Sequence, residues 1–397
     1  MKSLSQQVVS MKPSGIRRFF DLAQTMENVV SLGVGEPDFI TPWNVREASY
    51  AALEQGYTAY SANAGLLELR QEIASYMTDR FGATYDPATE LIVTTGASQA
   101  LDIAFRALLN PGDEVIVVEP AFVSYGPLIE LAGGTVVPVA CRPENGFRLN
   151  RDDVEAAITE RTKAMLLCFP SNPTGATMTG EELTEIAELA TKHDLWVVSD
   201  EIYAELSYDE PFTSFATLHD MRERTIVVNG FSKAFAMTGW RLGFTCAPEV
   251  VTREMLKVHQ YGMMCAPTLV QFGGLEALRS RDQHVPKMVK SYRQRRNYFI
   301  QALNDAGLPT HVPGGAFYAF PSIRHTGLTS EEFAERLLLE ERVAVVPGNA
   351  FGASGEGFVR ASYATSVEQL QEAIRRIDRF MKQFEVTTTT TTTDSQR

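Results

Sequence analysis

The stretch KAMLLCFPSNPTGATMTGEELTEIAELATKHDLWVVSD, residues 163–200, decides the fold. It begins and ends with an apolar run of strand length, and neither run alternates with polar residues, which is typical of strands covered on both faces. Between the runs, Thr179 and Glu182 have the spacing of a helix capping box, and apolar residues follow at helical spacing: Leu183, Ile186, Ala187 and Ala190. The stretch is therefore predicted to form two parallel strands joined by a crossover helix.

Similar apolar runs occur on both sides of this unit. They begin at Leu91, Glu114 and Thr225, and helical periods lie between them. Strands that alternate with helices predict an α/β fold in which a mostly parallel sheet is flanked by helices.

The last third of the chain has a different pattern, which predicts a second, smaller α+β domain. A long charged and apolar stretch at 285–305 precedes a glycine-rich segment at 313–315 and the strand-like FYAFPSI. The predicted divisions are an N-terminal arm with a small-domain segment (1–45), a large domain (46–285), a small domain (286–385) and a threonine-rich tail expected to be disordered (386–397).

Composition limits the classes of function. The 397 residues are 44% hydrophobic, and a net charge of -13 argues against nucleic-acid or anionic-membrane partners. The four cysteines are too few and too widely spaced for a disulfide scaffold, and the six histidines form no metal-binding motif, so no metal is expected. Without a signal-peptide pattern or a long apolar span, a cytoplasmic location is expected.

Chemically useful side chains follow the ends of the predicted strands. In open α/β sheets ligands bind beyond the carboxyl ends of the strands, so residues placed there are expected to share one site. These residues are Gly96, Ala97, Ser98, Asn172, Asp200, Tyr203, Ser232 and Lys233.

Three of these features also have an ordinary explanation. The turn at 96–98 suits an anion, but it also fits a plain strand-to-helix turn. Asp200 fits a helix N-cap, and Lys233 fits a solvated loop. Together, however, the residues suit a cofactor that carries a phosphate, an aldehyde and a ring nitrogen, and pyridoxal phosphate has all three.

Further motifs point to a family: SLGVGEPDF from Ser31, YTAYSANAGLLELR from Tyr57, SNPTG from Ser171, SDEIY from Ser199, SKAFAMTGWRLGF from Ser232 and FVRASYATS from Phe358. From about residue 5 to 384 the chain resembles the class I/II, fold type I pyridoxal-phosphate aminotransferases. It is most similar to the bacterial branch with alanine, aspartate, aromatic and acetyl-diaminopimelate aminotransferases.

The resemblance implies roles around the cofactor ring. Lys233 would hold the cofactor covalently and then act as a proton shuttle. Asp200 would pair with the pyridine nitrogen, and Asn172 and Tyr203 would donate to the phenolic oxygen. Phe122 would stack on the ring.

The resemblance also implies contacts with the phosphate and the substrate. The phosphate would be held by Ala97, Ser98, Ser232 and Arg241. Tyr60 would reach the phosphate of the neighbouring subunit of a homodimer. Arg360 would bind the substrate α-carboxylate next to Asn172, and Gly35 lies in the segment that would close over the substrate.

The implied activity is ping-pong transfer of an amino group from an L-amino acid to a 2-oxo acid such as 2-oxoglutarate. Alanine is the favoured donor and aromatic amino acids come second. Some aspartate-selective relatives carry a lysine at the position of Ser98, which disfavours aspartate without excluding it. The alternatives are a pyridoxal-phosphate carbon-sulfur β-lyase and a non-catalytic effector-binding protein of aminotransferase-like fold.

Overall fold

The structure is a computed structural model, and it describes residues 2–11 and 25–385. The predicted threonine-rich tail at 386–397 and part of the predicted N-terminal arm lie outside the described residues.

The described α-helices are, in chain order, α1 (Gln6–Ser10), α2 (Trp43–Glu54), α3 (Leu67–Phe81), α4 (Gly96–Leu108), α5 (Tyr125–Leu131), α6 (Arg151–Ala157), α7 (Gly180–Lys192), α8 (Glu249–Gly262), α9 (Thr268–Arg279), α10 (Arg281–Asp305), α11 (Ser330–Glu341) and α12 (Val367–Glu385). The described strands are β1 (Val30–Ser31), β2 (Leu91–Thr94), β3 (Glu114–Glu119), β4 (Thr135–Ala140), β5 (Thr162–Leu167), β6 (Trp196–Asp200), β7 (Thr225–Gly230), β8 (Gly243–Cys246), β9 (Tyr318–Ala319), β10 (Val343–Ala344), β11 (Val346–Pro347) and β12 (Val359–Ser362).

A seven-stranded sheet forms the centre of the molecule, in the order β2-β8-β7-β6-β5-β3-β4. Strand β8 is antiparallel to both of its neighbours, and the other neighbouring strands are parallel. This confirms the predicted α/β fold with a mostly parallel sheet. The sequence did not predict β4 and β8. Strand β4 contains Pro138, which is tolerated because β4 lies at the sheet edge. Strand β8, with the sequence GFTC, has no unbroken apolar run.

The predicted crossover helix between β5 and β6 is α7. Its capping box is complete, since the Thr179 side chain accepts from the backbone N–H of Glu182 and the Glu182 side chain accepts from the backbone N–H of Thr179. The apolar face at Leu183, Ile186 and Ala187 is buried against the sheet. Because α7 returns the chain so that β6 pairs in parallel with β5, with Leu167 opposite Ser199, Asp200 lies at the carboxyl end of β6, next to the end of β5.

Two smaller sheets accompany the central sheet. Strands β11, β12 and β9 form an antiparallel sheet, and β1 pairs with β10. Pairing of Ser362 with Tyr318 fixes β12 beside β9, so Arg360 and Tyr318 come from one small sheet. Helix α10 runs without interruption across residue 285, so the predicted division there falls inside a helix. The domain boundaries stay a prediction.

The four cysteines are unpaired. In the described part of the chain, no helix combines the length and the apolar character that a membrane span needs. No cluster of three or more histidine, cysteine or acidic side chains suited to a metal ion occurs among residues 2–11 and 25–385.

Candidate active site

A cavity of about 570 Å³ lies beyond the carboxyl ends of the parallel strands, and this volume is typical of small-molecule sites. Eleven of the twelve site residues predicted from the sequence line it: Gly35, Ala97, Ser98, Phe122, Asn172, Asp200, Tyr203, Ser232, Lys233, Arg241 and Arg360. The twelfth, Tyr60, lies outside the cavity with 81% of its surface exposed. The structure thus brings together residues from across the chain.

Lys233 follows strand β7 and lies inside the cavity. Its Nζ donates to the backbone oxygen of Gly35 at 2.6 Å. Burial, together with the positive charge of Arg360, lowers the pKa of Lys233 to about 8, against the opposing effect of Glu36 and Asp200. A fraction of the amine is therefore neutral near neutral pH and can act as a nucleophile or a base. This excludes the alternative of a solvated loop lysine.

Asp200 ends strand β6 and is 5% exposed. One carboxylate oxygen accepts from the hydroxyl of Tyr125 at 2.7 Å, and the other accepts from the backbone N–H of Ile202 at 3.2 Å. Burial raises the pKa of Asp200 to about 6, although the Tyr125 hydrogen bond opposes the rise. A turn follows Asp200, so it is not a helix N-cap. A buried carboxylate of this kind is suited to hold a cationic ring nitrogen.

The first turn of α4 offers an anion site. Within the described residues the Thr95 side chain does not cap this helix, so the N–H groups at its start stay available. Gly96 has a φ of +76°, and a Cβ there would lie 2.7 Å from Nη2 of Arg241. The guanidinium of Arg241 therefore packs directly on the glycine turn, and together they suit a phosphate.

Arg360, on β12, is 4% exposed and carries a buried positive charge. Its Nη1 donates to Oδ1 of Asn172 at 2.9 Å, and its Nη2 donates to the backbone oxygen of Gly33 at 2.6 Å. The guanidinium carbon lies 4.5 Å from the ring centre of Tyr318. In the described part of the chain no carboxylate pairs with Arg360. A buried cation without an anionic partner is suited to bind the carboxylate of a ligand.

Two tyrosines that the sequence did not single out also line the cavity. Tyr125 donates to Asp200, and the hydroxyl of Tyr318 lies 2.8 Å from that of Tyr203. A Cβ on Gly35 would lie 2.8 Å from the Tyr318 hydroxyl, so glycine is needed at the point where the 33–36 segment passes Tyr318. No spacing pattern marks either tyrosine, since each acts through a residue far away in sequence.

Known proteins match the chain over nearly its whole length. The family described as aminotransferase class I and II matches residues 27–377. The "Putative aminotransferase YugH" of Bacillus subtilis is 63% identical, over 95% of this chain and 98% of its own. An aspartate aminotransferase of Pyrococcus abyssi is 47% identical, over 97% of this chain and 100% of its own.

A solved structure agrees with the fold and with the sequence relatives. The aromatic aminotransferase from Pyrococcus horikoshii OT3 superimposes with a TM-score of 0.89 at 47% identity, covering 93% of this chain and 100% of that chain. The chain therefore belongs to the class I and II aminotransferases, and it is an aminotransferase.

Proposed function

We propose that this aminotransferase uses pyridoxal phosphate to move an amino group from an L-amino acid to a 2-oxo acid in two successive half-reactions. One observation carries the proposal. The buried cation of Arg360 lies in the same cavity as the buried amine of Lys233 and the buried carboxylate of Asp200. A cation suits the carboxylate of an amino-acid substrate, and an amine and a carboxylate suit the aldehyde and the ring nitrogen of a pyridine aldehyde.

The cavity offers suitable groups for the phosphate, the ring nitrogen and the aldehyde of the proposed cofactor. The turn of α4 with Arg241 suits the phosphate, Asp200 suits the ring nitrogen, and Lys233 suits the aldehyde. Phe122 lines the same cavity and is proposed to stack on the ring. When bound, pyridoxal phosphate supplies an aldehyde that captures amines and a ring that takes up the electron pair left at the substrate Cα.

The protein's own groups then bind, orient and move a proton. Arg360 holds the α-carboxylate through two parallel hydrogen bonds, which also orients the Cα–H bond. With the cofactor bound, Lys233 Nζ would take the proton from the substrate Cα and would then donate a proton to the cofactor carbon. Asp200, as a carboxylate, keeps the ring nitrogen protonated.

Alanine is the proposed amino donor, with aromatic amino acids second. The cavity is lined by three cations, Lys233, Arg241 and Arg360, and each already has a role. The described lining of this one chain leaves no further cation for the distal carboxylate of aspartate or of 2-oxoglutarate, so such a cation would have to come from the partner subunit. The relatives named for aspartate and for aromatic amino acids keep both as candidates.

A substrate panel tests this assignment. The kcat/KM values of L-alanine, L-phenylalanine and L-aspartate are measured with pyruvate or with 2-oxoglutarate as acceptor. A ratio that favours aspartate by tenfold or more would overturn the alanine assignment. Release of pyruvate and ammonia from cysteine conjugates without an acceptor would instead show a β-lyase, and cofactor binding without any turnover would show an effector-binding protein.

The proposed assembly is a homodimer. An exposed apolar patch is formed by Tyr57, Tyr60, Tyr261, Met263 and Met264. Its two segments touch, because Asn63 Nδ2 donates to the Met264 backbone oxygen at 2.8 Å. An exposed apolar surface built from two segments in contact is typical of an interface, and a second copy is the partner we propose. The cytoplasmic location stays a prediction from the sequence.

Tyr60→Phe is expected to raise the dissociation constant of pyridoxal phosphate about tenfold, because the hydroxyl would no longer reach the phosphate of the partner's site. The measurement is a titration of the apoprotein with the cofactor. Tyr50→Phe, another exposed tyrosine, serves as the control. Unchanged affinity in Tyr60→Phe would contradict the shared-site assignment.

Tyr125→Phe is expected to move the acidic limb of the kcat/KM profile to higher pH by about one unit. The hydrogen bond from Tyr125 favours the Asp200 carboxylate and so holds its pKa down, and its loss lets burial raise the pKa further. The pH profile of the variant is compared with the wild type. Acidic limbs that overlap would show that the Tyr125 hydrogen bond does not control the pKa of Asp200.

A further inference from the structure

His259 lies on α8, is fully buried and does not line the cavity. Its Nδ1 lies 2.9 Å from Nε2 of Gln99. Gln99 lies in the first turn of α4, and its Oε1 accepts from the backbone N–H of Thr95 at 2.6 Å. Thr95 directly precedes the anion-binding turn at 96–98. Two hydrogen bonds therefore connect α8 to the start of that turn.

The direction of both hydrogen bonds follows from the donors available. Because the oxygen of Gln99 faces the Thr95 N–H, its amide NH2 faces His259 and donates to it. Nδ1 of His259 is therefore an acceptor, and the ring is neutral with its proton on Nε2. Burial lowers the pKa of His259, which is consistent with a neutral ring.

His259 also contacts the apolar patch through its backbone. Its carbonyl oxygen accepts from the backbone N–H groups of Met263 and Met264 at 2.8 and 3.2 Å. The Asn63 side chain in turn donates to the backbone oxygen of Met264. This hydrogen bond connects the segment that carries Tyr60 to the end of α8. His259 thus contacts two regions: through its side chain, the residues that precede the anion-binding turn, and through its backbone, the surface proposed to complete the partner's site.

We infer that His259 and Gln99 are positioning residues for the phosphate turn, which hold Thr95 so that the N–H groups of Ala97 and Ser98 point at the phosphate. The inference rests on the proposed function, because the phosphate belongs to the proposed cofactor. The side chain of Thr95, the N-cap residue of α4, makes no capping hydrogen bond. Gly96 has a left-handed backbone conformation, so the geometry of the turn depends on how its first residue is held.

The test compares the affinity of apoprotein variants for pyridoxal phosphate and for pyridoxal, which lacks the phosphate. His259→Leu and Gln99→Met are each expected to raise the dissociation constant of pyridoxal phosphate about tenfold. Pyridoxal binding and kcat at saturating cofactor are expected to change less than about twofold. In the double variant the loss is expected to equal that of Gln99→Met alone, since His259 acts through Gln99.

Thr252→Val is the matched control, because it removes a buried hydrogen bond from the same helix, to the Ala247 backbone oxygen, without touching Gln99. Equal losses in this control, equal losses for pyridoxal, or additive losses in the double variant would overturn the inference. Unchanged affinity of His259→Leu, with tight binding by the wild type, would also overturn it. A wild-type protein that binds no pyridoxal phosphate would overturn the proposed function itself.

Discussion

Replacing Lys233 with alanine is expected to lower the rate of transamination by more than about 10,000-fold. Lys233 is the only lysine that lines the described cavity, so its loss removes both the amine proposed to hold the cofactor and the base at the substrate Cα. General acid-base catalysis alone contributes about 100- to 10,000-fold, and covalent attachment adds to it. The measurement is kcat for L-alanine with pyruvate or 2-oxoglutarate, together with single-turnover rates at saturating cofactor.

The matched control is Lys257→Ala, which removes an exposed lysine paired with Glu254 on α8. Its activity is expected to equal that of the wild type. A Lys233→Ala protein that turns over within tenfold of the wild type would show that another group moves the proton. Partial rescue by a small added amine is expected, because it restores a base at the vacated position.

The stability of the apoprotein distinguishes loss of chemistry from loss of fold. Burial lowers the pKa of Lys233 in the folded protein to about 8, below its ordinary value of 10.5. The charged amine therefore destabilises the fold fully below about pH 8, and the cost disappears as the pH rises above 10.5. We expect Lys233→Ala to melt at or above the wild-type Tm at pH 7, with the difference shrinking towards pH 10.

The sheet shows how far the sequence alone predicts this fold. The five apolar runs correspond to β2, β3, β5, β6 and β7, which are covered on both faces and so have unbroken apolar sequences. Strand β4 was missed because an edge strand is partly exposed and tolerates Pro138. Strand β8 was missed because its sequence, Gly243–Cys246, contains glycine and threonine and so has no unbroken apolar run, although the strand is buried.

The site residues likewise include some that the sequence predicts and some that it does not. Lys233, Asp200 and the turn at 96–98 follow predicted strands, so topology alone places them at one edge of the sheet. Arg360 and Tyr60 were identified only through motifs shared with a family. Tyr125, Tyr318 and His259 were not identified, because each acts through one hydrogen bond to a residue 75 to 160 positions away. A single sequence does not show which distant residues form such hydrogen-bonded pairs.

Arg360→Lys is expected to lower kcat/KM about 100- to 1,000-fold for every amino acid tested. Lysine keeps the positive charge but loses the planar pair of donors, so the α-carboxylate is no longer held by two parallel hydrogen bonds. Loss of one side of a buried, hydrogen-bonded charge pair costs about 2–5 kcal/mol, which agrees with that range. The shorter head group also leaves Asn172 Oδ1 without its donor.

The control for Arg360 is Arg324→Lys, which changes an exposed arginine that stacks on Phe358 at 4.7 Å, outside the cavity. Its kcat/KM is expected to stay within about twofold of the wild type. An amine without a carboxylate offers a second comparison, because it has no carboxylate group for Arg360 to bind. If Arg360 binds the α-carboxylate, Arg360→Lys slows amino acids and leaves the slow reaction of such an amine unchanged. Equal slowing of both would mean that the substitution distorts the cavity, and the carboxylate would then have to dock elsewhere.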